Sequence, residues 1–153
     1  MIDNFDWKIL DYLQRKGDAT NAELGEYIHI SASQAGRRKA RLEAENIIEG
    51  YRARIKAEAV NLNIQAFIQV SLETHSKDNA FALKEFLLEK TNIVNIWTMT
   101  GRADYLLQVY CEDLAELNSL IHNDLLSHKN ISHVESQIVM NQIKSNAVLP
   151  LKR

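Results

Sequence analysis

The apolar residues of this chain first change period at Ile64. Before Asn46 they recur at helical spacing. From Ile64 onward, Ile64, Ala66, Ile68, Val70 and Leu72 alternate with Gln65, Phe67, Gln69 and Ser71. A helical period followed by a two-residue period predicts an α+β chain with a helical N-terminal part and a sheet-containing C-terminal part. With 153 residues and 46% hydrophobic content, the chain has enough apolar material for two small cores.

Three short helices are expected in the first part. The first spans about Asp3 to Lys16, with Phe5, Ile9, Leu10 and Leu13 on its apolar stripe. Asp3 can cap it, Asp6 suits a helix start, and Gly17 can supply a left-handed ending. The second begins at Thr20-Asn21-Ala22-Glu23, a capping-box pattern, and carries Leu24, Tyr27 and Ile28. His29-Ile30 leaves room only for a tight turn. The third begins at a second capping box, Ser31-Ala32-Ser33-Gln34, and ends near Asn46, which tolerates a left-handed conformation. Gly36 in its interior permits a close approach, either to DNA or to a neighbouring helix.

Two short helices joined by a tight turn, the second of them basic, match a helix-turn-helix. The overall charge of −2 hides a local asymmetry. Residues 1–30 carry three basic against six acidic side chains, and residues 31–60 carry seven against four. A helix of this kind enters the major groove and reads base edges with its N-terminal residues. The candidate DNA-binding residues are therefore Ser31, Ser33, Gln34, Arg37, Arg38 and Arg41. Ser33, Gln34, Arg37 and Arg38 are placed to meet bases, and Arg41 and Lys39 to reach phosphates. A plain three-helix bundle with a solvated basic helix is the competing reading of the same residues.

Residues 48–62 read as a connector, with Gly50 at a turn or bulge. Arg52 and Arg54 would share a face if that connector were a strand. Beyond it, a helical stripe of Ala80, Leu83, Phe86, Leu87 and Lys90 follows the first strand. Strands are expected from Ile93 to Met99 and from Tyr105 to Cys111, with a turn at Thr100–Asp104. A helix capped at Asp113 follows, with Leu114, Leu117, Ile121 and Leu125 inward, and then a strand from Val134 to Ile143. The order is βαββαβ, a ferredoxin-like arrangement. Helices cover one face of such a sheet. Phe67, Trp97, Met99 and Val139 fall on or near the other, which calls for a second copy of the chain. The expected division is a winged-helix-like helix-turn-helix domain over 1–47, a connector over 48–62, and a ferredoxin-like domain over 63–153.

The sequence offers little for catalysis. His29, His75, His122, His128 and His133 have no zinc-ligand spacing, and Cys111 stands alone inside an apolar strand. There is no phosphate loop, no dinucleotide fingerprint and no nucleophile elbow. Asp104 and Glu112 have no paired group for acid–base work. No enzyme activity, metal or cofactor is expected. No apolar run approaches the roughly 18 residues of a membrane span, and the acidic N-terminus does not read as a signal peptide. The expectation is a soluble, cytoplasmic protein.

Taken together, several segments resemble the leucine-responsive and asparagine-regulator (Lrp/AsnC, feast/famine) family of transcription regulators. They are Asp6-x-x-Ile9-Leu10-x-x-Leu13, Asn21-Ala22-Glu23-Leu24, Arg37-Arg38-x-x-Arg41-Leu42-Glu43, Ile48-x-Gly50-Tyr51, Ala66-Phe67-Ile68-x-Val70, Thr100-Gly101-x-x-Asp104-Tyr105-Leu106-Leu107, and the stretch from Val139-Met140 to Leu149-Pro150-Leu151. The resemblance implies a DNA-binding regulator that forms dimers and higher oligomers such as octamers. It also implies an amino-acid effector bound between dimers near Thr100–Asp104. Carried over by position, Thr100, Gly101, Arg102 and Asp104 are the effector candidates. Arg102 would suit an effector carboxylate, against the plainer reading of a surface arginine that is free or paired with Asp104. This chain departs from the family pattern at His29, Asn46 and Asn61, where glycine is usual, and at Lys39, where an apolar residue is usual. Two other functions stay open at this point: an effector-independent architectural DNA-binding protein, and a ligand-binding assembly domain that does not bind DNA.

Overall fold

A computed structural model describes residues 1–74, 76–145 and 148–151; His75 lies outside them. The chain forms two compact units. One comprises Met1–Arg54 together with the C-terminal stretch from Ile143, and the other comprises Ile55–Gln142.

The first unit holds α1 (Asn4–Arg15), α2 (Asn21–Ile28) and α3 (Ala32–Ala44). All three start with a closed capping box: Asp3 with Asp6, Thr20 with Glu23, and Ser31 with Gln34. Each box satisfies backbone N–H groups that a helix start otherwise leaves without partners. Ile9, Leu13, Ala19, Leu24, Ile28, Ala35 and Leu42 form the core. A fully buried Leu or Ile contributes about 1.5–3 kcal/mol by leaving water, so this small core depends on every one of its members.

Packing between α2 and α3 is close. A Cβ on Gly25 would stand 2.7 Å from the Ile30 carbonyl oxygen and 3.0 Å from the Ala32 nitrogen, so the turn has no room for a side chain there. Gly36 resolves differently from Gly25. The nearest group to its missing Cβ is the Asn21 side-chain amide, at 2.6 Å, so the close neighbour is α2. The three departures from glycine all adopt left-handed backbone, with φ of 62° at His29, 54° at Asn46 and 64° at Asn61. The fold thus keeps its turns and accepts the strain, which is larger for His than for Asn. Gly17, in contrast, has no positive φ; α1 ends at Lys16 through a bond from its N–H to the Tyr12 carbonyl.

The second unit opens with a 3₁₀ turn (Ala57–Val60), followed by β1 (Ile64–Leu72), α4 (Lys77–Leu88), β2 (Ile93–Thr98), β3 (Tyr105–Cys111), α5 (Leu114–Ser119) and β4 (Ile131–Ile138). The strands form one antiparallel sheet in the order β2-β3-β1-β4, as the ferredoxin-like pattern requires. Ala66, Ile68, Val70, Leu107 and Val109 face the helices and are fully buried with Leu83 and Leu87 of α4. Residues 51–56 form no strand, so the shared Arg52/Arg54 face does not arise.

Two elements differ from the sequence expectation. Beyond α5 the chain continues as a π-helix over Leu120–Leu125. Its wider turn brings Leu120 and Leu125, five residues apart, to the same buried side as Leu117 of α5, so the α-periodic stripe drawn through Ile121 misses Leu120; Leu114, at the start of α5, is 58% exposed. The last strand begins three residues before Val134 and stops at Ile138, although Val139 still donates to the Gln65 carbonyl at 2.8 Å. The chain from Ile143 then leaves the sheet unit, to which the sequence reading had given it. Leu149 N–H donates to the Gln14 side-chain oxygen at 2.5 Å, and Arg54 donates to the Ser145 carbonyl at 3.2 Å.

The two helix-turn-helix glycines should separate in experiment. Gly25→Ala is expected to destabilise the first unit by more than about 2 kcal/mol, because backbone atoms must move. Gly36→Ala is expected to fall within about 1 kcal/mol of neutral, since the Asn21 side chain can move and Ala favours helix. Hydrogen exchange of the α1–α3 amides reads both; equal protection in the two variants would contradict the packing just described.

Candidate nucleic-acid interface and effector loop

The outward side of α3 carries Ser33 and Arg37, one turn apart, both exposed. The other predicted DNA-binding residues lie on the same helix with their side chains engaged. Ser31 accepts from the Gln34 N–H, and Gln34 Oε1 accepts from the Ser31 N–H and hydroxyl, each at 3.2 Å. These two side chains close the helix start.

Arg38 and Arg41 turn toward α1. Arg38 Nη1 donates to Asp3 Oδ2 at 2.7 Å and to Asp6 Oδ1 at 2.9 Å, and its guanidinium lies 5.1 Å from the Phe5 ring centroid. Arg41 donates to the other Asp6 oxygen and, at 3.4 Å, to the Met1 carbonyl. Asp6 is fully buried, and its carboxylate also accepts from the Asp3 N–H at 2.9 Å. Burial pushes the Asp6 carboxyl up, but the Asp3 N–H and the guanidiniums of Arg41 and Arg38 outweigh it and hold the group below the usual carboxylate range. Sequence reasoning missed this clasp. Its signal was there: Asp6 falls on the inward stripe with Ile9 and Leu13, where a carboxylate needs a cationic partner.

Lys39 takes the position expected to be apolar. It is half-buried, and its ammonium lies 4.9 Å from the Tyr51 ring centroid. Tyr51 in turn donates its hydroxyl to Glu43 at 2.9 Å, and burial together with that neighbour pushes its pKa to about 12. Gly17, Asp18, Tyr51, Arg52 and Ala53 line a shallow recess on this unit.

In the second unit, Thr100, Gly101, Arg102 and Asp104 share the loop between β2 and β3. Met99 N–H donates to the Asp104 carbonyl at 2.8 Å and closes the loop. Asp104 N–H donates to the Val70 carbonyl at 3.0 Å, and its carboxylate accepts from the Leu72 N–H at 2.8 Å. Asp104 therefore pins the loop to the end of β1, where the β1–β4 register shifts. Ser71 adds a bond from its hydroxyl to the Arg102 carbonyl at 3.3 Å. Thr100, Gly101 and Arg102 are exposed. Gly101 has φ of 117°, and no atom lies within 4 Å of where its Cβ would stand. Cys111 is buried, and desolvation pushes its thiol to about 11, so no thiolate forms near neutrality.

Two domain families match this sequence. Residues 2–43 match the AsnC-type helix-turn-helix domain, and residues 65–149 match the Lrp/AsnC ligand binding domain. The chain belongs to the Lrp/AsnC family. As a member it is a DNA-binding transcription regulator and not an enzyme. Among its relatives is a leucine-responsive regulatory protein of Rhizobium meliloti, 34% identical, with 94% of this chain and 92% of the relative covered. A glutamate uptake regulatory protein of Zymomonas mobilis is 30% identical, with 98% and 91% covered. The crystal structure of a Neisseria meningitidis transcriptional regulator in complex with L-methionine superposes with a TM-score of 0.94 at 35% identity, covering 98% of this chain and 97% of that one. No helix among the described residues is long and apolar enough to cross a membrane.

The clasp sets an acid limit on the Lrp/AsnC helix-turn-helix. Asp3 and Asp6 lie below their ordinary range, and Glu23, hydrogen-bonded by Lys16 and closing its capping box, is held at about 2. Depressed carboxylates add stability above their unfolded pKa, and that stability is lost as pH falls through the folded values. Protection of the α1–α3 amides should therefore decline from about pH 4.5 toward pH 2. In Asp6→Asn the decline should be shallower, starting from a unit about 2 kcal/mol less stable at pH 7. A pH profile identical to wild type in that variant would remove Asp6 from this account.

Proposed function

We propose that the protein is an amino-acid-modulated, sequence-specific regulator that binds double-stranded DNA as a homo-oligomer in the cytoplasm. The observation that carries this reading is α3. It is capped at Ser31, exposed at Ser33 and Arg37, and held on α2 across a turn with no space for a side chain at residue 25. A helix so held is placed to enter the major groove, where its first two turns meet base edges.

The effector site is assigned to the β2–β3 loop. Gly101 leaves the backbone open to a ligand, Thr100 and Arg102 stand exposed beside it, and Asp104 fixes the loop. An amino acid fits the chemistry, because exposed backbone and a guanidinium suit a carboxylate. The methionine-bound Neisseria neighbour makes L-methionine the first compound to test. Assembly is assigned to the sheet face away from the helices. There Phe67 is half-buried and Trp97 is 43% exposed, and a second copy would cover them. Such dimers would join into a higher oligomer such as an octamer. The functional division follows 1–47 for DNA, 48–62 as connector, and the sheet domain from 63 for effector and assembly. An effector changes DNA affinity only through its differential affinity for two states of that assembly.

Fluorescence anisotropy tests this directly. One duplex comes from upstream of the protein's own gene and the other is its scrambled counterpart, each with and without L-methionine and with pooled amino acids. Expected are tighter binding to the native duplex, weakening of all binding as salt rises, and a several-fold change in Kd with an amino acid. Equal binding to both duplexes, indifferent to every amino acid, would favour an architectural protein instead.

A further inference from the structure

Four basic side chains crowd one stretch of α3, and three of them are occupied within their own unit. Arg38 is shared between Asp3, Asp6 and the face of Phe5. Arg41 is bound to Asp6 and the Met1 carbonyl, with Glu45 3.9 Å away. Lys39 lies over Tyr51. Arg37 is exposed and makes no ion pair, hydrogen bond or ring contact through its side chain among the described residues. The helix start is likewise spent, because Ser31 and Gln34 close the capping box. The outward stripe that remains, at helical spacing, is Ser33, Arg37 and Ala40, all exposed.

We infer that Arg37 is the specificity-determining residue of α3, taking the two acceptors of a guanine edge, and that Asp6 is a positioning residue that withholds Arg38 and Arg41 from DNA. This rests on the reading that α3 enters the major groove. The first part follows from exposure and chemistry. A guanidinium with no protein partner keeps its whole donor fork for N7 and O6 of guanine, the bidentate contact that most often specifies a base. The second follows from burial. Releasing Arg38 or Arg41 to a phosphate would strip a counter-charge from a fully buried carboxylate. A phosphate contact at the wet surface of a duplex returns less, since it exchanges one screened counterion for another. The clasp also fixes the rotation of α3 about its axis. Arg38 and Arg41 lie three residues apart on the side facing α1, and Arg37, one turn before Arg41, stands at the border of that side and is exposed.

The test uses the full-length protein and the two duplexes above, over a range of salt well below the melting temperature of each variant. Arg37→Gln is expected to cut the native-to-scrambled affinity ratio by roughly tenfold or more. In wild type, replacing one guanine of the native duplex by 7-deazaguanine should cost a similar factor, and in Arg37→Gln that replacement should cost nothing further. Arg38→Gln is expected to melt earlier yet keep both the ratio and the slope of log K against log salt. Arg38→Lys, which retains the ion pair, should keep them with a smaller loss of stability. Asp6→Asn should steepen the salt slope by about one ion or more, as freed arginines reach phosphates. A collapsed ratio or a shallower slope in Arg38→Lys, or an unchanged ratio in Arg37→Gln, would overturn the inference alone. Wild type binding neither duplex would overturn the DNA reading and the inference with it.

Discussion

The buried carboxylate of Asp6 is the point on which the DNA-binding unit turns. It closes the start of α1 by accepting from the Asp3 N–H, and it takes guanidinium donors from Arg38 and Arg41 of α3. Helix start and helix pairing are therefore one network. An isolated buried charge would cost several kcal/mol, about the size of a domain's whole net stability. Satisfied on both oxygens, it instead fixes a geometry that the seven small and medium apolar residues beneath it would leave loose. Apolar contact is non-directional. Ala35 and Leu42 set which face of α3 is buried, and the hydrogen-bonded charge pair adds direction to that contact.

A different constraint governs the sheet unit. Its two helical segments cover one side of four strands, so alternate residues of β1 and β3 divide into buried and half-exposed sets. The buried set forms a core with α4 and α5. The half-exposed set includes Phe67 and Leu106, and Trp97 of β2, paired with Leu106, is 43% exposed. The β2–β3 loop stands at one end of this sheet, anchored by a carboxylate to the β1 backbone. A loop so anchored keeps its ends fixed while its middle, at Gly101, stays open.

Much of this was legible in the sequence because the signals were local. Capping boxes at Thr20 and Ser31 set the helix starts, and two-residue alternation set β1 and β3. The positive φ at His29, Asn46 and Asn61 lay under a glycine pattern that the chain itself breaks. What escaped was non-local or aperiodic. A side chain's spacing along α3 shows that Arg38 and Arg41 share a face but not that Asp6 waits opposite. A π-helix shifts the inward phase by one residue without any change in composition, and so hid Leu120. The return of the tail to Gln14 joins residues 135 apart, beyond the reach of any periodicity.

That return changes what the DNA-binding unit is. Built from both ends of the chain, it is joined to the sheet unit by two covalent crossings, near Arg54 and near Gln142, instead of one connector. Two hydrogen bonds of the returning tail lie inside that unit: Leu149 N–H to the Gln14 side chain, and Arg54 to the Ser145 carbonyl. The tail is therefore part of the structure that carries α3, and these backbone groups are satisfied there and not by the sheet.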